Sequence, residues 1–151
     1  MGRNAGPEQT DTRWLQRFEN LERALAQLRA AIAAHQAMPD NDLIVIALIK
    51  AYEFSFELSW KTLKDLLAWN GIDARLPREV LKQAFASGLL QNGQLWIDML
   101  EQRNLMAHTY DQARALQAAE RISRSFWPAL EALESTLAHQ RQQVVPGDQA
   151  P

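Results

Sequence analysis

The sequence contains no cysteine among its 151 residues. This absence excludes disulfide bonds, thiolate nucleophiles and cysteine-based metal sites, and it fits a reducing compartment. We therefore expect the protein in the cytoplasm. His35 and His139 each lack a second ligand three or four residues away. We accordingly expect neither a metal site nor a cofactor.

Long apolar runs are also missing. The strongest run, Leu43 to Ile49, ends at Lys50 and is far shorter than the roughly 20 residues that span a bilayer. Met1 to Thr10 is polar and contains glycine and proline, so it does not have the apolar centre of a signal peptide. We expect no membrane segment and no membrane partner.

The chain has no excess of positive charge, because 16 basic residues face 18 acidic ones and the net charge is −2. This balance excludes a protein that coats nucleic acid through a global positive field. Any RNA contact has to be local. One candidate patch combines five basic side chains, which are Lys61, Lys64, Arg75, Arg78 and Lys82. Carboxylates lie among them, so a solvated surface of mixed charge explains the same pattern.

Strand alternation and a glycine-rich phosphate loop are absent, whereas apolar residues recur at helical spacing along most of the chain. With 47% hydrophobic residues in 151 positions, the chain is long enough for one domain with a substantial core. We predict an all-α, up-and-down bundle of four or five helices over residues 11–140. Disordered tails are expected at 1–10 and 141–151.

Capping residues give the boundaries of the predicted helices. Thr10 to Thr12 supply N-caps for a first helix that runs to about Gln36. Asp40 or Asn41 begins a second helix of about thirty residues, which stops at Asn70-Gly71. Pro77 begins a short third helix that ends at Gly88.

The remaining helices surround the segment from Arg103 to Tyr110. A fourth helix carries Leu95, Trp96, Met99, Leu100, Leu105 and Met106. A final helix begins with Asp111 as N-cap and extends through Leu137. Pro128 lies inside this last pattern, and we expect it to interrupt the helix near Arg124 to Trp127.

The second helix carries apolar residues around much of its circumference. Ile44, Ile46, Leu48, Phe54 and Leu58 lie off the main stripe. Other helices of a 151-residue chain do not provide enough cover for all of them. This excess favours a symmetric homodimer.

The segment Arg103-Asn104-Leu105-Met106-Ala107-His108-Thr109-Tyr110 combines a permanent cation, a proton-transfer group and a phenol. Arginine binds phosphate oxygens and histidine transfers protons near neutral pH, a combination that suits RNA cleavage. The Arg-to-His spacing alone is weak, but the added tyrosine lowers its chance expectation to roughly a few per thousand. A histidine and tyrosine that merely cap and pack a helix end are the alternative.

The Arg-x4-His-x-Tyr pattern of this segment resembles the signature of HEPN-domain proteins. Tyr52 to Asp65, Pro77 to Ala84 and Trp96 are similar to the branch called nucleotidyltransferase substrate-binding proteins, and the resemblance covers roughly residues 13–138. It implies a helical homodimer that works with a minimal nucleotidyltransferase. In toxin–antitoxin members, this partner attaches AMP to the tyrosine that corresponds to Tyr110.

In such a dimer, the resemblance implies a metal-independent endoribonuclease. Residues five apart on a helix lie about 140° from each other, so Arg103 and His108 need a helix end or a second copy to converge. His108 then acts as general base or acid, and Arg103 stabilises the anionic phosphorane. The expected product is a 2′,3′-cyclic phosphate.

Two further residues are predicted to support Arg103. Asn104 is expected to hold phosphate or the loop, although an exposed helix asparagine is also compatible with the pattern. Glu53 and Glu57 share one edge of the second helix. Glu57 has Lys61 as a surface partner at i+4, whereas Glu53 has no base at that spacing, so Glu53 is the preferred residue to face Arg103.

Two other functions remain open. The chain is also compatible with a non-catalytic subunit that presents a substrate to the nucleotidyltransferase, which the low net charge supports. A purely structural bundle, in which His108 caps a helix, is the third possibility.

Overall fold

The computed structural model describes residues 7–106 and 111–144, and within them it contains helices and no strands. This confirms the predicted all-α bundle. The helical elements are α1 (Pro7–Ala37), α2 (Asp42–Trp69), α3 (Pro77–Ala86), α4 (Gly93–Met106), α5 (Gln112–Arg121), a π turn (Ile122–Phe126) and α6 (Trp127–Val144).

The ends of α2 follow directly from the local sequence. The Asn41 side chain accepts hydrogen bonds from the amides of Leu43 and Ile44, at 3.0 and 3.2 Å, as an N-cap does. At the other end Gly71 adopts φ +86°, and the Ile72 amide donates to the Leu67 carbonyl at 2.8 Å. This is a Schellman termination, which needs the left-handed residue that glycine supplies.

Two short connections bring α4 beside α2. Gly88 ends α3 with φ +81°. Asn92 then accepts a 3.1 Å hydrogen bond from the Leu95 amide and caps α4. The predicted boundaries at Pro77, Gly88 and the turn before α4 are therefore confirmed.

The final helix is interrupted where Pro128 predicts an interruption. Proline cannot donate a backbone hydrogen bond to the carbonyl of Arg124. The chain widens there into the π turn, and the Trp127 amide donates to the carbonyl of Ile122, five residues earlier. A π bulge leaves the helix continuous, so α5, the π turn and α6 form one helical rod.

Both terminal helices extend beyond the domain boundaries expected at 11 and 140. α1 begins at Pro7, a residue favoured in the first helical turn, so Thr10 to Thr12 lie inside the helix instead of capping it. At the other end, Arg141 of α6 pairs with Glu22 of α1 at 3.1 Å. Its guanidinium also lies 4.7 Å from the ring centroid of Phe18. The rest of the two expected tails lies outside the described residues.

One hydrophobic core joins all the helices. Its largest fully buried side chains are Trp14, Phe18, Tyr52, Phe56, Trp96 and Phe126. Two aromatic contacts connect α2 to the elements around it: Phe56 with Trp96, and Tyr52 with Phe126. These contacts fix α4 and the π turn against the middle of α2.

Several large apolar side chains stay outside this core. Leu43, Ile46 and Phe54 are exposed along α2, and Leu105 is 67% exposed in the last turn of α4. Leu105 is therefore not part of the core that the described residues form, unlike Met99 and Leu100 one or two turns earlier. None of the helices in the described part of the chain is both long and apolar enough to cross a membrane.

Candidate functional site

Arg103 lies in the last turn of α4 and reaches across to α2. Its Nη2 atom donates a 2.6 Å hydrogen bond to Oε1 of Glu57 and a shorter one to Oε2. Both side chains are more than two-thirds shielded from solvent. A guanidinium–carboxylate pair in this setting is stronger than an exposed pair because solvent screens it less.

The Glu57 carboxylate has a second partner on its own helix. The indole Nε1 of Trp60 donates a 2.9 Å hydrogen bond to Oε2 of Glu57. Trp60 is itself buried, so its ring is fixed by the core. The carboxylate is thus held from α2 and from α4 at the same time.

Glu53 was expected to face Arg103, and this expectation is wrong. Glu53 pairs with Lys50 at 3.3 Å on the same helix, whereas Glu57 contacts Arg103. Glu53 has no basic residue at i+4, but Lys50 lies three residues before it and is close enough to pair with it. The alternative Glu57–Lys61 pair is not formed among the described side chains, and the Lys61 ammonium lies 6.0 Å from the Trp60 ring instead.

Asn104 is exposed and contacts its neighbour. Its Oδ1 accepts a 2.9 Å hydrogen bond from Nη1 of Arg103. The two terminal nitrogens of the guanidinium therefore have different partners, Glu57 on the buried side and Asn104 on the exposed side. The role of Asn104 in binding phosphate stays a prediction.

His108 and Tyr110 lie outside the described residues. The structure describes α4 up to Met106 and resumes at Asp111. The Asp111 side chain accepts hydrogen bonds from the amides of Ala113 and Arg114, at 3.0 and 3.2 Å, and the predicted N-cap is confirmed. The segment that carries His108 and Tyr110 thus connects the Arg103 end of α4 to the capped start of α5.

Tyr52 is a contributor to this region that the motif did not reveal. Its hydroxyl donates a 2.7 Å hydrogen bond to the backbone carbonyl of Met99, one helical turn before Arg103. Burial raises the pKa of Tyr52, while the positive charges of Arg121 and Arg103 oppose that shift. The sequence does contain a signal for this contact, since Tyr52 lies within an apolar stripe of the second helix. A buried tyrosine hydroxyl needs a hydrogen-bond partner on a neighbouring element.

A second arginine lies near Tyr52. Arg121, at the end of α5, pairs with Asp98 of α4 at 3.2 Å. Its guanidinium also lies 5.0 Å from the ring centroid of Phe126. Two arginines therefore flank the α4 segment that leads to the motif, and each is paired with a carboxylate.

The two arginines of the basic patch predicted around the second and third helices are both paired with carboxylates. Arg75 lies 3.5 Å from Asp73, and Arg78 lies 3.6 Å from Glu101. These contacts favour the mixed, solvated surface over an RNA groove. Within residues 7–106 and 111–144, no cluster of three or more potential metal ligands is present.

Comparison with known proteins identifies the family of this chain. Residues 16–139 match the family described as nucleotidyltransferase substrate binding protein like. The chain belongs to this family, a branch of the HEPN-domain proteins.

One curated relative and one solved structure are similar to this chain. The chain is 30% identical over 87 residues to "Probable ribonuclease HepT" of Haemophilus influenzae, a match that covers 54% of this chain and 60% of the relative. A crystal structure of a Thermus thermophilus protein superposes with a TM-score of 0.65 at 28% identity. It covers 80% of this chain and 98% of the other.

Proposed function

We propose that this protein is a metal-independent endoribonuclease of the HEPN type, the toxin of a two-gene module whose other product is a minimal nucleotidyltransferase. The observation that carries the proposal is the placement of Arg103. Its guanidinium is fixed by Glu57 at the helix end that leads directly into His108. The name of the Haemophilus influenzae relative supports ribonuclease activity.

The proposed reaction uses the ribose of the RNA itself as nucleophile. His108 removes the proton from a 2′-hydroxyl, and the 2′-oxygen attacks the adjacent phosphorus. Arg103 donates hydrogen bonds to the non-bridging oxygens as negative charge accumulates on the phosphorane. The bond from phosphorus to the 5′-oxygen then breaks, and a protonated histidine supplies the proton that this oxygen takes. The products are a 2′,3′-cyclic phosphate and a 5′-hydroxyl.

A symmetric dimer completes the proposed site, because it provides one histidine as base and a second as acid. Apolar surface supports this assembly. Leu43, Ile46 and Phe54 on α2, together with Leu105 beside the motif, are exposed in the single chain. Large exposed apolar side chains that recur on one element are typical of surfaces that another protein covers.

Regulation is proposed at Tyr110, two residues after His108. Transfer of AMP to its hydroxyl would place a bulky anion at the mouth of the site, which excludes RNA by volume and by charge. The description of the family, which refers to nucleotidyltransferases, supports the identity of the partner.

A second function has its own support. The family description refers to substrate binding, and Arg103, Arg121, Arg75 and Arg78 are each paired with a carboxylate. Both facts fit a non-catalytic subunit that presents a substrate to the nucleotidyltransferase.

The deciding experiment is cleavage of a labelled single-stranded RNA by the purified protein in excess EDTA. We expect wild type to generate 2′,3′-cyclic phosphate ends, and His108→Ala and Arg103→Ala to lose at least about 100-fold in rate, as expected for acid–base and electrostatic catalysis. If His108→Ala is as active as wild type, the catalytic assignment is wrong. Complete inactivity of folded wild type, with binding to the nucleotidyltransferase retained, would favour the substrate-binding subunit.

Regulation is tested separately by incubating the protein with the partner and ATP. Mass spectrometry should find AMP on wild type and none on Tyr110→Phe, and only the modified protein should lose RNA cleavage. Modification of another residue, or undiminished cleavage after AMP transfer to Tyr110, would remove the regulatory part of the proposal.

A further inference from the structure

The Arg103 guanidinium is held through a chain of three side chains that begins in the core. Trp60 is buried and donates to Oε2 of Glu57 at 2.9 Å. Glu57 in turn accepts from Nη2 of Arg103 with both carboxylate oxygens. Each link connects a more buried group to a less buried one, and the chain ends at the exposed side of the helix where Asn104 lies.

We infer that Glu57, oriented by Trp60, is a positioning residue that fixes Arg103 for RNA cleavage. This inference rests on the proposed ribonuclease function. Arginine has several rotatable bonds, and an exposed one occupies many rotamers. Contact with both Glu57 oxygens fixes Nη2 on the α2 side, which leaves Nη1 toward Asn104 and solvent. The guanidinium edge available to a phosphate is thereby selected before RNA arrives.

Glu57 also has an electrostatic effect that opposes binding. A carboxylate beside the phosphate site cancels part of the Arg103 charge and repels the RNA backbone. A side chain whose only role was to attract substrate would not carry this charge. The two roles, positioning Arg103 and attracting RNA, therefore predict different results. If Glu57 positions Arg103, its removal should slow the chemical step without weakening RNA binding, since positioning acts on the transition state.

Tyr52 provides the second fixed point of this arrangement. Its hydroxyl bonds the carbonyl of Met99 at 2.7 Å, four residues before Arg103 and therefore on the same face of α4. The Tyr52 hydrogen bond fixes the backbone of α4, and the Glu57 contact fixes the guanidinium of Arg103. Both originate on α2, so α2 acts as the rigid support of the site.

The test compares Glu57→Gln and Trp60→Phe with wild type. Single-turnover cleavage gives the rate of the chemical step, and the Kd of a 2′-deoxy RNA of the same sequence gives binding without cleavage. We expect Glu57→Gln to lose roughly 10- to 100-fold in rate, the range seen when supporting groups are removed. Its Kd should be equal to or lower than that of wild type. Trp60→Phe should show a smaller loss in the same direction.

Glu22→Gln is the matched control. Glu22 accepts from Arg141 across α1 and α6 at 3.1 and 3.3 Å, with solvent exposure close to that of the Glu57–Arg103 pair. Its loss should leave the cleavage rate within about twofold of wild type. The double variant Glu57→Gln/Arg103→Ala should be no slower than Arg103→Ala alone, because Glu57 acts through Arg103.

Three outcomes overturn the inference: an unchanged rate for Glu57→Gln, a rate loss fully explained by weaker binding, or additive losses in the double variant. In each of these the ribonuclease assignment stands, since wild type still cleaves RNA. An inactive wild type removes the proposed function and the inference together. In that case the NMR signals of the Arg103 side chain still test its contact with Glu57. If Glu57→Gln leaves these signals unshifted, the contact does not exist in solution.

Discussion

The Tyr52 hydroxyl donates a 2.7 Å hydrogen bond to the backbone carbonyl of Met99, 47 residues later in the chain. This bond fixes α4 on α2 one turn before Arg103. A tyrosine at this position combines an aromatic ring that stacks on Phe126, at 5.7 Å between centroids, with one polar atom directed at the neighbouring helix. Burial raises the pKa of Tyr52, and this shift makes the contact testable by pH.

Stability should fall in alkaline solution because of Tyr52. Its pKa is raised in the folded state, so the phenol stays protonated there, whereas in the unfolded state it ionises above about pH 10. The stabilisation is therefore complete below about pH 10 and is lost as pH rises above it. Urea unfolding from about pH 7 to 11 should show a steeper decline for wild type than for Tyr52→Phe. Parallel curves would contradict this role.

At neutral pH, Tyr52→Phe should itself reduce the free energy of unfolding by about 1–2 kcal/mol, because a buried hydrogen bond is lost. Circular dichroism should show unchanged helicity. A variant as stable as wild type would indicate that the bond to Met99 contributes nothing.

The two N-caps offer a matched pair of substitutions. Asn41→Ala and Asp111→Ala each remove a side chain that accepts from two backbone amides, so each should cost about 1 kcal/mol of stability. Only Asp111 adjoins the segment that carries His108 and Tyr110. We expect RNA cleavage to fall in Asp111→Ala and to be unchanged in Asn41→Ala. Equal cleavage rates in the two variants would show that the cap of α5 does not contribute to the site.

His35 is a buried polar group with poor hydrogen bonding. It is 3% exposed, and neither ring nitrogen has a hydrogen-bond partner among the described residues. Oε2 of Glu120 lies 3.4 Å from Nε2 without hydrogen-bond geometry. Replacement by an apolar residue of similar size removes this desolvation cost. We expect His35→Leu to be as stable as wild type or up to about 2 kcal/mol more stable.

The exposed His139 is the control for this substitution, and His139→Leu should change stability by less than about 0.5 kcal/mol. Thermal and urea unfolding measure both variants. A marked loss of stability in His35→Leu would show that the Glu120 contact outweighs the desolvation of the imidazole.

Glu134 should make stability depend on pH in the same direction as Tyr52, but in the acidic range. Partial burial raises its pKa, with Arg29 opposing the shift and Glu22 and Glu131 adding to it. Because the folded state binds its proton more tightly, the resulting stabilisation is complete below about pH 4.3 and is lost as pH rises through the folded pKa. Glu134→Gln should therefore be more stable than wild type at about pH 7, and the difference should disappear near about pH 4. A constant difference across this range would contradict the assignment.

The sequence predicts the ends of the helices better than it predicts the contacts of the site. Asn41, Gly71, Gly88 and Asp111 are local signals, and each marks a helix end in the structure. Pro128 gave the position of the interruption in the last helix. Its form as a π turn depends on how α5 packs on α2 and α6 packs on α1, which no local pattern contains.

The choice between Glu53 and Glu57 shows the same limit. Both lie on one edge of α2, so their spacing alone does not distinguish them. The decision depends on where α4 crosses α2, which is set by Phe56 against Trp96 and by Tyr52 against Met99. These contacts join residues about 40 to 47 positions apart, and helical periodicity carries no information on such pairs.

The π turn at Ile122–Phe126 has a consequence for how this chain tolerates changes of length. The turn holds one residue more than an α-helix needs for the same rotation. If the same residues formed a regular α-helix, everything downstream would rotate by about 100°. Leu130, Leu133 and Leu137, all buried in α6, would turn away from the core, and Arg141 would leave Glu22. Loss of the turn together with one residue keeps the downstream faces in place. Homologues without the π turn should therefore have one residue fewer between Arg121 and Trp127, and homologues with the turn should keep the same number.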